Sequence, residues 1–374
     1  MTRPGWLERP ALSPLVRRRL LTALPTLFIV VTLTFLLVRI APGGPFRSER
    51  AVPEAVRENM EVRYGLDRSL PVQYVRFWGS VLTGRLGPSF QHPERSAARV
   101  LWEGAGPSLV LGISALFIAL LLGLGGGTAA AIWPRGRPWI SAAALAALAV
   151  PVFVLGPLLI RVFAVGLGWL PAGLWGEPEH LVLPALTLGI PVGGAAARFW
   201  RAALEEELDT PSCLAARARG LGPLATVRKH AAVRSLPLLL NYLGPLAAGL
   251  VTGSVVVEKV FGIPGMGRYF VDSALARDYP VVIGATLAYA VVLLAVHTAA
   301  DLAHVRLDPR LRKEHADWIG LEKQDRARRR ALRQAEAARK AELNAGRKTA
   351  SSSDPDREAA LRALEEDREE GGKR

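Results

Sequence analysis

Asp-Thr-Pro-Ser-Cys-Leu-Ala-Ala-Arg-Ala-Arg-Gly-Leu-Gly-Pro-Leu-Ala-Thr-Val-Arg-Lys-His-Ala-Ala-Val-Arg-Ser-Leu-Pro, residues 209–237, separates two long apolar runs. Thr210 stands where it can cap a helix whose first residue is Pro211, because the first helical position needs no N–H. Gly220 suits the exit, which leaves about two turns of helix. Those turns carry the small residues Ala215, Ala216 and Ala218 and the cations Arg217 and Arg219. Pro223 can open a second helix towards Arg234. A short helix, a glycine and a second helix between membrane spans make a knob for a soluble partner to grip, not a catalytic site.

The runs on either side explain the composition. Half of the 374 residues are hydrophobic and 21% are charged, so the two kinds must be segregated along the chain. Six segments are apolar over the length of about 20 residues that a bilayer requires. They are Leu20–Ala41, Pro107–Trp133, Trp139–Val165, Leu181–Trp200, Leu236–Val260 and Val281–Val305. Barrel strands would alternate and be about half as long, so the fold class is an all-α integral membrane protein with six transmembrane helices. The fourth span is interrupted by Pro184, Pro191 and several glycines. Small residues at Gly123, Gly125, Gly126, Gly127, Gly189, Gly193, Gly194, Gly244, Gly249 and Gly253 allow close helix approach. Arg17, Arg18 and Arg19 precede a first run too long for a signal peptide, which reads as an uncleaved anchor.

Charge orients the spans. Arg17–Arg19, then Arg135 and Arg137, then residues 217–234, then Arg306, Arg310, Arg312 and Lys313 fall on alternate loops and hence on one side. The third-to-fourth loop has Glu177 and Glu179 and no cation. Positive-inside counting puts both termini in the cytoplasm, and the long first loop, residues 42–106, is exempt. In that loop Pro53 can start a helix ended by Gly65, and Ser69-Leu70-Pro71 another ended near Gly84. The second groups Val75, Trp78 and Leu82 with Tyr74, Phe77 and Val81 beside them. It can lie on the membrane surface or pack on the spans. The chain thus divides into residues 1–106 (segment, first span and external loop), 107–312 (five spans, with the knob in 205–236) and 313–374. The last part is a charged tail, helical over Trp318–Leu343 and then broken at Thr349–Ser353. The net charge of +14 for the whole chain fits an anionic membrane face, and no nucleic-acid partner is expected.

Chemistry is excluded residue by residue. There is no phosphate-binding Gly-x-x-x-x-Gly-Lys-Ser/Thr loop, no His-Glu-x-x-His and no serine nucleophile elbow, so no catalytic or metal residue is assigned. Cys213 is the single cysteine, which rules out an internal disulfide. Arg39 and Arg161 sit near the outer ends of their spans and can snorkel. Asp301 lies low in the sixth span, where it can pair with an inner-face arginine. Glu258 ends the fifth span before Phe261-Gly262-Ile263-Pro264-Gly265-Met266-Gly267-Arg268, with Asp272 beyond. Irregular backbone at membrane depth must be buried in protein or line a cavity. These residues form either part of an outer gate or a rigid tie between the last two spans.

The loop at 209–237 resembles the signature loop of permease subunits of binding-protein-dependent ABC importers, above all the B-type subunit of dipeptide and oligopeptide permeases. Leu214-Ala215-Ala216 followed by Gly220 stands where that family has Glu-Ala-Ala…Gly, so Leu214 offers no ion pair from the acidic position. Arg217-Ala218-Arg219-Gly220-Leu221, His230-Ala231 and Pro237 match the peptide-permease version. The turn around Gly265 with Arg277-Asp278-Tyr279-Pro280 is similar too, as are Ala41-Pro42-Gly43-Gly44-Pro45 and Tyr64-Gly65-Leu66-Asp67. The resemblance covers nearly everything but the tail.

It implies a subunit of the bacterial or archaeal inner membrane forming half of a path for peptides. The partners it implies are a second and different permease chain, two ATP-binding subunits that hold ATP and magnesium, and an extracytoplasmic substrate-binding protein, all within membrane lipid. It makes Ala215, Ala216, Arg217, Arg219, Gly220 and His230 the ATPase-coupling loop; His230 can instead serve a loop-packing hydrogen bond. It makes Glu258, Phe261, Pro264, Gly265, Arg268 and Asp272 an outer gate or substrate path. Nickel, glutathione or sugar cargo belongs to the same class. A gradient-driven secondary transporter would need repeated halves and midplane acids; neither stands out, nor does any constellation for a membrane enzyme.

Overall fold

Prolines and glycines decide where helices break, bend or pass through in the computed structural model. It describes residues 12–40, 58–59, 61–62, 64–251 and 255–307, and in the tail 328, 331–332, 334–336, 338–339 and 359. Among the described residues the secondary structure is helical, with one isolated bridge between Pro88 and Ser96.

Helix α1, Leu12–Ile40, carries the first apolar span, and α12, Tyr279–Leu307, the last. They meet where Val31 and Phe35 bury against Ile283. Arg19 pairs with Asp301, an arginine partner of the kind expected for that acid. Helix α2, Leu70–Leu82, starts after Ser69 and leaves through Gly84 at φ +69°. Its aromatic face packs on α1: Trp78 stacks on Phe28 at 5.2 Å, and the Tyr74 hydroxyl bonds Thr32 Oγ1 at 2.8 Å. Val75 and Leu82 stay exposed, so the aromatic side meets protein while those two face outward. The helix expected from Pro53 lies partly outside the described residues; its exit, Gly65, has φ +65°.

Helix α3, Ala97–Ile132, begins ten residues before the expected span, because the Ser96 hydroxyl accepts from the Arg99 amide and caps it there. Pro107 lies inside without ending it. Helix α6, Glu179–Leu208, likewise runs through Pro184 and Pro191. The two form the centre of the molecule, and glycines bring them together. A Cβ at Gly123 would lie 2.6 Å from Ala196 Cβ, and one at Gly127 2.6 Å from the Ala197 carbonyl. From the other side, Gly189 and Gly193 approach Ala115 and Leu122 equally closely.

The expected third span is two helices, not one. Helix α4, Arg137–Ala149, meets α5, Val152–Leu159, at a 106° bend, and α5 continues as a π-helical stretch to Gly166. Val150 is extended, the conformation that the Pro151 ring favours for the residue before it. The fifth is also divided: Pro223–Leu250 and α10, Val255–Phe261, differ in direction by 48°. Four helices are therefore long and apolar enough to cross a membrane alone, and six spans result if each bent pair counts as one. Residues 309–374 form a separate unit whose described positions are helical and exposed; the expected helix Trp318–Leu343 lies largely outside the described residues.

Candidate functional site

The short helix between α6 and the fifth span is α7, Pro211–Ala218. Thr210 occupies its N-cap with extended backbone, but its hydroxyl donates back to the Glu207 carbonyl at 2.7 Å and bonds the Ser212 hydroxyl at 3.1 Å, and it accepts from no backbone amide of the helix. Thr210 therefore ties α7 to the end of α6. The exit follows expectation: Gly220 has φ +84°, and the Leu221 amide reaches the Ala216 carbonyl at 3.2 Å. Pro223 opens α8, Pro223–Thr226, which passes through a π-helical turn, Val227–Ala231, into α9, Ala232–Val251.

Periodicity divides α7 into two faces. Cys213 and Ala216, three apart, are both buried, and Cys213 packs in a cluster with Trp200, Leu204, Val227 and Leu239. Leu214, Ala215, Arg217, Ala218, Arg219 and Gly220 are exposed. Ala216 is thus an anchor, whereas Ala215, Arg217, Arg219 and Gly220 form a free surface. His230 lies half-buried in the π-helical turn. The base is braced by charge. Arg234 lies 3.7 Å from Glu207, Arg137 lies 2.6 Å from Glu205, and the buried Ser235 hydroxyl donates to the Ala203 carbonyl.

The second predicted group centres on Glu258, on α10, which is completely buried. Its Oε1 accepts from Ser108 Oγ of α3 at 2.7 Å, and its Oε2 accepts from the Arg268 amide at 2.9 Å. Ser108 Oγ also accepts from the Met266 amide at 2.9 Å. The carboxylate thereby joins α3, α10 and α11, Met266–Leu275, the helix that Gly265 precedes. Gly265 leaves the room: a Cβ there would collide with the Glu258 carboxylate. Phe261 is buried and its carbonyl accepts from the Leu174 amide at 2.8 Å, while Gly262 turns the chain at φ +70°. Pro264 is half-buried. Arg268 and Asp272 are exposed and 3.5 Å apart, and Asp272 also meets Lys259 at 2.9 Å. The structure brings all six residues into one turn, of which only the Arg268–Asp272 side faces outward.

Sequence reading missed two partners. Ser108 is 150 positions from Glu258, and nothing local marks it. Asp278 is buried and accepts from Ser89 Oγ and, at 3.2 Å, from the Gln91 amide; this holds the end of the first loop to α12.

Comparison with known proteins places the chain in a family. The family model "Binding-protein-dependent transport system inner membrane component" matches residues 123–313, and the N-terminal model of that transport system's membrane component matches residues 12–97. The dipeptide transport system permease protein DppB of Bacillus subtilis is 41% identical over 77% of this chain and 94% of its own. The oligopeptide transport system permease protein OppB of Haemophilus influenzae is 38% identical over 79% and 98%. A solved chain of the inward-facing MetNI methionine ABC transporter overlaps 56% of this chain and 96% of its own, at 20% identity and a TM-score of 0.45.

Proposed function

Because the chain belongs to the family of binding-protein-dependent transport system inner membrane components, we propose that it is the permease subunit of an ABC importer for dipeptides or oligopeptides. The observation that carries the cargo class is the identity of 41% and 38% to two peptide permeases along almost their whole length. It is a multi-pass membrane protein and a transport component, not an enzyme. A partner permease, an ATPase and an external binding protein complete such an importer. We take the composition to be one different permease chain and two ATP-binding subunits, with ATP and magnesium held in the latter.

In this reading the bent pairs each count as one span, giving six, and both termini are cytoplasmic by the positive-inside rule. Residues 1–106, 107–312 and 313–374 act as entry segment, permease core and tail. Helix α7 is the coupling helix. Its buried side, Cys213 and Ala216, and the tie from Thr210 to α6 make it move with α6 as one body. Its outer side presents Ala215 and Gly220 for close approach, and Arg217 and Arg219 for acceptors on the ATPase. Leu214, half-exposed where the family has an acid, offers an apolar contact instead of an ion pair. His230 borders the same contact. At the other site, Glu258, Phe261 and Gly265 keep the turn rigid, so that Pro264, Arg268 and Asp272 present a fixed outer gate.

The test is a mild-detergent pull-down of the tagged chain from its native membrane, with partners identified by mass spectrometry. An ATP-binding subunit and a second permease should be recovered. The chain alone, from a preparation that preserves other such complexes, would sink the reading. Uptake of labelled dipeptide should be lost on deleting the gene; loss of nickel, glutathione or sugar uptake instead would reassign the cargo.

A further inference from the structure

At the end of α1 remote from Arg19 lies a cavity of about 170 Å³ lined by Arg39, Gln73, Arg76 and Tyr279 among others. Its described lining contains no carboxylate. The Arg39 guanidinium sits over the rings of Phe35 and Tyr279, at 5.2 and 5.1 Å from their centroids. Rings orient a cation without neutralising it, and Arg39 Nε is buried with no hydrogen-bond partner. An arginine that only snorkelled would put that nitrogen in water. Arg76, exposed on α2, has no acidic partner among the described residues. Gln73 is buried; its Nε2 donates to the carbonyls of Leu66 and Arg68 at 3.0 and 2.6 Å, and its Oε1 is left without a donor. Among the described residues the cavity therefore combines two unpaired cations, one stranded acceptor and no acid.

Its place in the fold narrows the ligand. Arg39 is the penultimate residue of a membrane-length helix, the depth of lipid headgroups. On the same helix Leu33, Leu36, Leu37 and Ile40 are exposed, an apolar strip suited to acyl chains. At roughly 10–15 Å³ of such volume per water, the cavity has room for a phosphate and a short polyol. We propose that it binds the headgroup of an anionic membrane phospholipid of the phosphoglycerol class. The two guanidinium groups take the phosphodiester by charge-assisted bonds, and a headgroup hydroxyl donates to Gln73 Oε1. A soluble phosphate shares the anion chemistry but would leave the apolar strip unused.

The full chain, extracted with its partner subunits and delipidated, is incubated with equal phosphatidylglycerol and phosphatidylcholine and weighed by native mass spectrometry. At least fivefold more phosphatidylglycerol should be retained. Arg76→Gln, at an exposed position where folding is not at stake, should remove most of that preference, and adding Arg39→Gln the rest. Arg95→Gln, elsewhere on the surface, should leave it unchanged. Phosphatidylmethanol, with the same charge but no free hydroxyl, should be retained less than phosphatidylglycerol; equal retention would overturn the role of Gln73. Equal retention of the two first lipids, or an unchanged preference in Arg76→Gln, would overturn the site. Displacement of the lipid by inorganic phosphate at low millimolar concentration would assign the pocket to a free anion and overturn the lipid reading.

Discussion

The turn around Glu258 and the helix at 211–218 are both short connections beside the fifth span, and they are built in opposite ways. At the turn, every polar group of the carboxylate is spent inside the molecule, on Ser108 and the Arg268 amide. At the helix, two small side chains are spent inside and most of the rest is left for solvent or a partner. A buried polar network fixes geometry, because each member left unpaired is costly. An exposed helix end on a buried anchor is held in place while its outer surface stays available. The turn is tied inward, and α7 leaves a surface free.

The sharpest way to break this contrast is Glu258→Ala. It strands the Ser108 hydroxyl and the Arg268 amide, at roughly 1–3 kcal/mol for each buried donor. The purified variant should unfold well below the unmodified chain in a thermal melt, with reduced accumulation in the membrane. A melt unchanged within error would show that the carboxylate is not structural. Next, the two alanines of α7 separate anchor from surface. Ala216→Leu forces a larger side chain into a completely buried position, at about 1–3 kcal/mol, and should lower the melt. Ala215→Leu, one residue earlier and exposed, should leave the melt alone and weaken recovery of the ATPase in the pull-down. Equal effects of the two would erase the two-faced helix.

Gly220→Val comes third. Open space surrounds Gly220, so the side chain fits, but φ +84° costs an L-residue about 1–2 kcal/mol. The chain should still reach the membrane while labelled-peptide uptake falls at least tenfold. Normal uptake would refute the coupling role of this exit.

What was legible in the sequence is local. Pro211 and Gly220 mark both ends of α7 because proline and glycine act through their own backbones. Gly189 and Gly193 announce close helix contact for the same reason. Asp301 in an apolar run demands a cation, and Arg19 supplies it. What was not legible depends on distant neighbours. Pro107, Pro184 and Pro191 remain inside helices, while Pro151 follows a 106° bend; the side chain is the same and the packing differs. Thr210 has the right place for a cap but finds the Glu207 carbonyl nearer. Glu258 read equally well as gate or tie, because its partner Ser108 lies on another helix.

The smallest effect probes the frame at its edge. Arg19 and Asp301 join the first and last spans, yet their side chains are 45% and 30% exposed. Partial exposure lets water and salt screen the pair, so its coupling should stay below about 1 kcal/mol. A double-mutant cycle of Arg19→Ala and Asp301→Ala, followed by detergent-unfolding titration, measures it directly. A coupling of several kcal/mol would mean that this end is as dry as the Glu258 turn. The contrast would then lie between α7 alone and a uniformly buried frame, not between the two ends of the spans.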